Sequence, residues 1–266
     1  MKIITDFKFT FLVLLMLFSG CKSTNENPGN RIPTQDSGSI ISIAAAANLR
    51  DVLDELKQHY SKENPGKKVS LTFGSSGMLT QQIIHGAPFD LFLSADTVYP
   101  GELVKLHKTK GKSIIYAYGR IVMWSAKSDV SIGLDILLKD EIKKVAVANP
   151  QLAPYGLATV KALKNKGLYD EIESKIVWAE NISQSAQFVF SGSADVGFIS
   201  LSNALKPEMQ KKGKYYELPD EESGSIAQGG VVIKGKNEDD SQHFLEYIMH
   251  PKMKYLWEKY GYETGK

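Results

Sequence analysis

From residue 40 onward the chain alternates short apolar runs with longer amphipathic ones, and this alternation limits the fold more than any other feature. Residues 40–46 read as a strand. Residues 49–62, "LRDVLDELKQHYSK", place Val52, Leu53, Leu56 and Tyr60 on one helical face. "KKVSLTFG" is the next strand, "GMLTQQIIHG" the next helix and "FDLFLSA" the strand after it. A second set begins near residue 119. "RIVMWSA", "KVAVANP", "KIVWAE" and "DVGFIS" read as strands, and "LATVKALKNKG" and "SQSAQFVFSGS" as helices. Strands that alternate with helices predict an α/β protein whose sheets are mostly parallel and flanked by helices.

The repetition of the pattern predicts two lobes around a ligand cleft. "SIAQGGVVIKG", residues 225–235, is where the chain crosses back, and a final helix from about 238 to 250 continues past Pro251. Lobe 1 then comprises residues 40–118 plus 226–266, and lobe 2 residues 119–225. In such folds ligands sit at the carboxyl ends of strands, where helix amino termini also point.

The residues before 40 are different in kind. Two lysines and one aspartate within Met1 to Lys8 precede the apolar run "FTFLVLLMLF", which is followed by "SGC". That run is too short to span a bilayer. It resembles a lipoprotein signal peptide over residues 1–20, with Phe18-Ser19-Gly20-Cys21 in the lipobox frame and phenylalanine as a departure at its first position. Cys21 is the only cysteine, so an intramolecular disulfide and a structural thiolate metal site are both excluded. Its position predicts lipid attachment, which would tether an exported protein to a membrane. Residues 21–39, polar and rich in proline and glycine, read as a flexible tether.

A net charge of +2 over 266 residues, with no long basic block, lacks the footprint of a nucleic-acid binder. Catalytic signatures are equally thin. His59, His85, His107, His243 and His250 form no ligand-type pair, and "GSSG" at residues 74–77 is not a nucleophile elbow. Gly229-Gly230 reads as a bend in a strand rather than a phosphate loop. Asp90 and Asp96 would lie roughly 20 Å apart along a strand, too far to share a proton, and read as caps of local structure.

What remains is binding. Asn48, the Ser75-Ser76 pair, Tyr155 in "APYGLATV", and Asn181-Ile182-Ser183 all fall at strand-to-helix turns. Each alone reads as a helix cap. Together, uncharged donors at four helix starts suit an anion.

These residues also carry a family likeness. "ISIAAAANL", "FGSSGMLTQQI", "GAPFDLFLSAD", "VAVANPQLAPYGLATVKAL" and "DVGFISLSNAL" resemble, in order and spacing, the periplasmic molybdate-binding proteins of molybdate ABC transporters, here in a lipoprotein form. The resemblance runs from about Ile41 to "KYGYE". It implies a two-lobed type II periplasmic-binding-protein fold that captures molybdate or tungstate for a permease. The protein would be a monomer with neither catalysis nor cofactor, its molybdenum bound as an oxyanion rather than a free cation. By resemblance the ion is held by Asn48, Ser76, Tyr155 and the backbone of Ile182, with Ser75 beside them. Some members carry a ligand tyrosine where this chain reads "GFISLS" and has Ser200. Tyr155 would supply the phenol instead.

Neutral donors make physical sense for such a ligand. Charge-assisted hydrogen bonds, roughly 1.5–3 kcal/mol each, offset the desolvation of a dianion. Fixed donors also discriminate by size, because a smaller sulfate leaves some of them unpaired. The alternatives are a receptor for sulfate or phosphate, the effector domain of a transcription regulator, and a hydrolase using Ser76. The regulator would need a DNA-binding segment where this chain shows a signal and tether.

Overall fold

The computed structural model describes residues 39–223 and 225–265. The signal peptide, Cys21 and all of the tether but Ser39 lie outside the described residues.

The described residues hold two five-stranded sheets. The first is built from β1 (Ile40–Ala46), β2 (Lys68–Gly74), β3 (Leu91–Leu93) and β4 (Thr109–Gly119). The second is built from β5 (Ile121–Ser125), β6 (Val145–Ala148), β7 (Ile176–Ala179), β8 (Val196–Ser200) and β9 (Lys214–Glu217). The chain then returns to the first sheet as β10 (Ile226–Ile233). The strand orders are β2-β1-β3-β10-β4 and β7-β6-β8-β5-β9.

Both sheets follow one plan. Three parallel strands, β2-β1-β3 or β7-β6-β8, are joined by one reversed strand, β10 or β5, which also pairs antiparallel with a fifth strand, β4 or β9, that runs with the first three. The expectation of mostly parallel sheets holds for strand direction, since only β10 in the first sheet and β5 in the second run against the other strands. An apolar run fixes which residues face the core and says nothing of strand direction. Direction is set by the crossings: β5 begins one residue after β4 yet lies in the other sheet.

The described residues hold ten α-helices, of which the last two follow the final strand. They are α1 (Arg50–Glu63), α2 (Ser76–Ile84), α3 (Val98–Lys105), α4 (Pro154–Asn165) and α5 (Tyr169–Ile172). After them come α6 (Ile182–Ser191), α7 (Leu201–Ala204), α8 (Pro207–Lys212), α9 (Glu238–Met249) and α10 (Lys254–Lys259). Val52, Leu53, Leu56 and Tyr60 are the buried stripe of α1, as their spacing predicts. Burial of each aliphatic side chain among them contributes roughly 1.5–3 kcal/mol.

The expected last helix is broken. His250 precedes proline and is extended (φ −62°, ψ 139°), so α9 ends at Met249. The chain passes through a 3-10 turn at Pro251–Met253 before α10 begins. Strands β4 and β9 escape a search for apolar runs, since much of β4 is exposed and β9 has no fully buried residue.

Where β4 passes to β5, Arg120 holds the crossing together. Its guanidinium donates to Glu217 and to Glu263, each at 2.9 Å. Glu217 lies on β9 of the second sheet, while the backbone of Glu263 pairs with Tyr118 of the first.

Candidate functional site

Three helices of eight residues or more begin at one small cavity. Ser75 and Ser76 open α2 after β2, Tyr155 follows Pro154 in the first turn of α4 after β6, and Ile182 opens α6 after β7. Asn48 completes the wall from the 3-10 turn Ala47–Leu49 that leads into α1. The lining thus draws on both sheets. It contains no lysine, arginine, histidine or carboxylate. Its polarity comes from hydroxyls, amides and the helix amino termini, which carry partial positive charge.

The hydroxyls differ in their commitments. Ser76 Oγ accepts from Ala95 N at 3.0 Å, which leaves its proton without an acceptor among the described residues. Ser75 stands at the N-cap position of α2 but makes no capping bond, and its buried Oγ has no partner among the described residues. A buried hydroxyl left unmade is costly, so this one is suited to an incoming acceptor. Tyr155 is 1% exposed, and its Oη accepts from Gln228 Nε2 at 3.1 Å. Burial pushes its phenol well above the ordinary value, so it remains a protonated donor.

Asn48 behaves differently from the expected helix cap. The N-cap of α1 is Leu49, with no side-chain bond. Asn48 is instead buried, and its Nδ2 donates to Gln228 Oε1 and Tyr262 Oη, both at 3.0 Å. Tertiary acceptors displace the capping role, and Asn48 Oδ1 has no partner among the described residues. The backbone N–H of Asn48 has no acceptor inside a turn this short. Asn181 is a true cap: its Oδ1 accepts from Ser183 N and Gln184 N, which anchors the start of α6 beneath Ile182.

Ser200 does not line this cavity. It caps α7, where its Oγ accepts from Asn203 N and pairs with Ser202 Oγ at 2.9 Å. Asp90 accepts from Ser42 N and Asn237 Nδ2, and Asp96 accepts from Ser94 Oγ and Tyr99 N. Asp96 thus terminates local structure, as read from the sequence, whereas Asp90 ties residues that lie far from it along the chain.

Sequence reasoning passed over Gln228, Tyr116 and Tyr262, which stand behind the lining. One signal was available: "IAQGGVV" sets a single amide in an apolar strand, and a buried polar side chain needs partners.

A family model described as bacterial extracellular solute-binding protein matches residues 41–263. The chain belongs to that family.

Its relatives there include the molybdate-binding protein ModA of Azotobacter vinelandii, 36% identical over 84% of this chain and 89% of that protein. The putative ABC transporter substrate-binding lipoprotein YvgL of Bacillus subtilis is 28% identical over 94% of this chain and 95% of its own. The solved periplasmic molybdate-binding protein of A. vinelandii superposes with a TM-score of 0.80 at 30% identity, covering 85% of this chain and all of that one. As a solute-binding protein the chain is extracytoplasmic and not an enzyme.

Proposed function

We propose that this solute-binding protein captures molybdate, and tungstate equally, for an ABC importer. The ion would lie between two lobes, residues 40–118 with 226–266 and residues 119–225. Ser75, Ser76 and Tyr155 give it their hydroxyl protons, and Asn48 and Ile182 their backbone N–H groups. It is cargo and not a cofactor.

The observation that carries this reading is the convergence of Ser75, Ser76, Tyr155 and Ile182 from three helix starts on one uncharged cavity. A tetrahedral dianion can take many donors at once, and neutral ones distinguish ions by reach rather than by charge. The sequence similarity to ModA proteins supports molybdate over other oxyanions. Closure of the lobes around the ion would give the permease its signal, and Cys21 would carry the lipid that keeps the protein at the membrane.

Isothermal titration of the purified protein with molybdate, tungstate and sulfate tests the ligand. Tight binding of the first two and weak binding of sulfate is expected, and equal affinity for sulfate refutes the reading. For the anchor, labelling with a palmitate analogue is expected in the wild type and lost in Cys21→Ala. Label that persists in the variant rejects it.

A further inference from the structure

The end of the first sheet opposite the cavity carries a groove that the anion site does not use. Ile40, where β1 begins, lines it together with Pro88, Asp90, Lys108, Lys234 and Lys236. Ile40 lies in register with Lys68, and Ile233 with Thr109, so the starts of β1, β2 and β4 and the end of β10 meet there. The cavity takes Ala46 from the other end of β1, roughly 20 Å away along the strand.

Charge on this edge is unevenly compensated. Lys68, Lys108, Lys234 and Lys236 are exposed, and none has a carboxylate within ion-pair distance among the described residues. Asp90 is the one carboxylate that lines the groove, and its Oδ2 accepts from Ser42 N and Asn237 Nδ2. The acidic residues nearby, Glu238, Asp239 and Asp240, stand in the first turn of α9, whose positive end offsets them. Lys110 pairs with Glu238 and Asp239, and Lys67 with Asp240. What stays uncompensated is lysine. Beside it the groove exposes apolar surface, with Ile40 55% exposed and Pro88 also open to solvent.

We propose that this edge is a membrane-contacting face, on which the four lysines take the phosphates of anionic lipid headgroups while Ile40 and Pro88 meet the headgroup region. Two observations favour a lipid surface over a small soluble anion. The lysines are spread across the ends of three strands instead of converging on one point, which suits a layer of charges. The segment that would carry the lipid at Cys21 also enters the fold here, at Ser39, whose carbonyl accepts from Lys68 N at 3.2 Å. Contact at this edge leaves the cavity, at the far end of β1, away from the lipid. The inference goes beyond the molybdate reading and does not rest on it.

Co-sedimentation with vesicles tests it, using residues 21–266 with Cys21→Ala so that no attached lipid contributes; this chain contains every described residue. It is expected to bind vesicles of phosphatidylcholine with phosphatidylglycerol, to leave them as salt is raised, and to ignore phosphatidylcholine alone. Replacing Lys68, Lys108, Lys234 and Lys236 together with glutamine should lower partitioning by about tenfold or more. The same change of charge at Lys143, Lys144, Lys211 and Lys214, in the half of the chain that builds the second sheet, should leave most of it. Thermal unfolding checks that each variant is folded. Should the fourfold variant fail to fold, Lys234→Gln with Lys236→Gln is compared with Lys143→Gln with Lys144→Gln, and the larger loss is expected from the first pair. No binding to the anionic vesicles, equal binding to both kinds, or equal losses from the two sets of lysines overturns the inference.

Discussion

The backbone N–H of Gly77, in the first turn of α2, donates to the carbonyl of Leu152 at 2.8 Å. This bond ties a helix of the first sheet to the loop that leads into α4 of the second. A Cβ on residue 77 would lie 3.0 Å from that same carbonyl oxygen and 2.6 Å from Tyr99 Oη. The tyrosine tip can move, but the carbonyl belongs to backbone.

Gly77→Ala should therefore push α2 away from the 149–153 loop and spread the donors around the cavity. Alanine is the better helix former by roughly 0.8–1.0 kcal/mol, which offsets the strain in the unliganded protein. The expected outcome is a loss of molybdate affinity of about tenfold, or about 1.4 kcal/mol, with a urea midpoint close to wild type. Titration calorimetry and equilibrium unfolding on the same preparation measure the two.

The paired serines should separate binding from stability. Ser76→Ala removes a hydroxyl from the cavity lining and also the acceptor of Ala95 N, a buried group whose orphaning costs about 1–3 kcal/mol. Ser75→Ala removes a hydroxyl that has no partner in the unliganded protein. Both variants are expected to bind molybdate more weakly, but only Ser76→Ala should unfold at lower denaturant. Equal destabilisation by both would show that Ser75 Oγ has a partner before the ion arrives.

Much of this was legible in the sequence. The stripe of α1 and the serines, Tyr155 and Ile182 at helix starts depend on local spacing, which a single chain displays. What was not legible depends on partners far along the chain. Asn48 reads locally as a cap, yet its amide is claimed by Gln228 and Tyr262, residues that sequence distance hides. The mostly parallel direction was legible, but the one reversed strand of each sheet was not, since β5 and β10 take their orientation from the crossings between sheets and not from their own composition.

Gly119 is a second glycine whose missing side chain the site requires. The clash set by a Cβ there, 2.0 Å from Tyr155 Oη, involves a ring held in a fully packed position. Gly119→Ala is expected to displace the phenol and cost about tenfold or more in molybdate affinity. In a Tyr155→Phe background most of that loss should disappear, because the hydroxyl that clashes is gone. Competition binding with molybdate on the four proteins measures it, and an undiminished loss in that background would mean that Gly119 acts elsewhere.

The buried phenols make a prediction about pH. Tyr116, Tyr155 and Tyr262 are each 1–3% exposed, and burial is the largest cause holding all three above the ordinary tyrosine value. Below about pH 10 the phenols are protonated in both folded and unfolded chains, so they contribute no pH dependence. As pH rises past that value the unfolded chain loses these protons while the folded one retains them. The unfolded state then binds fewer protons, and stability falls with rising pH by up to about 1.4 kcal/mol per pH unit for each tyrosine. Urea midpoints followed from about pH 8 to about pH 11 should show this decline, with a shallower slope in Tyr155→Phe. Over the lower part of that range molybdate affinity should stay flat, because no group lining the cavity titrates there. A drop in affinity centred near the ordinary tyrosine value would mean that Tyr155 meets solvent when the ion is absent.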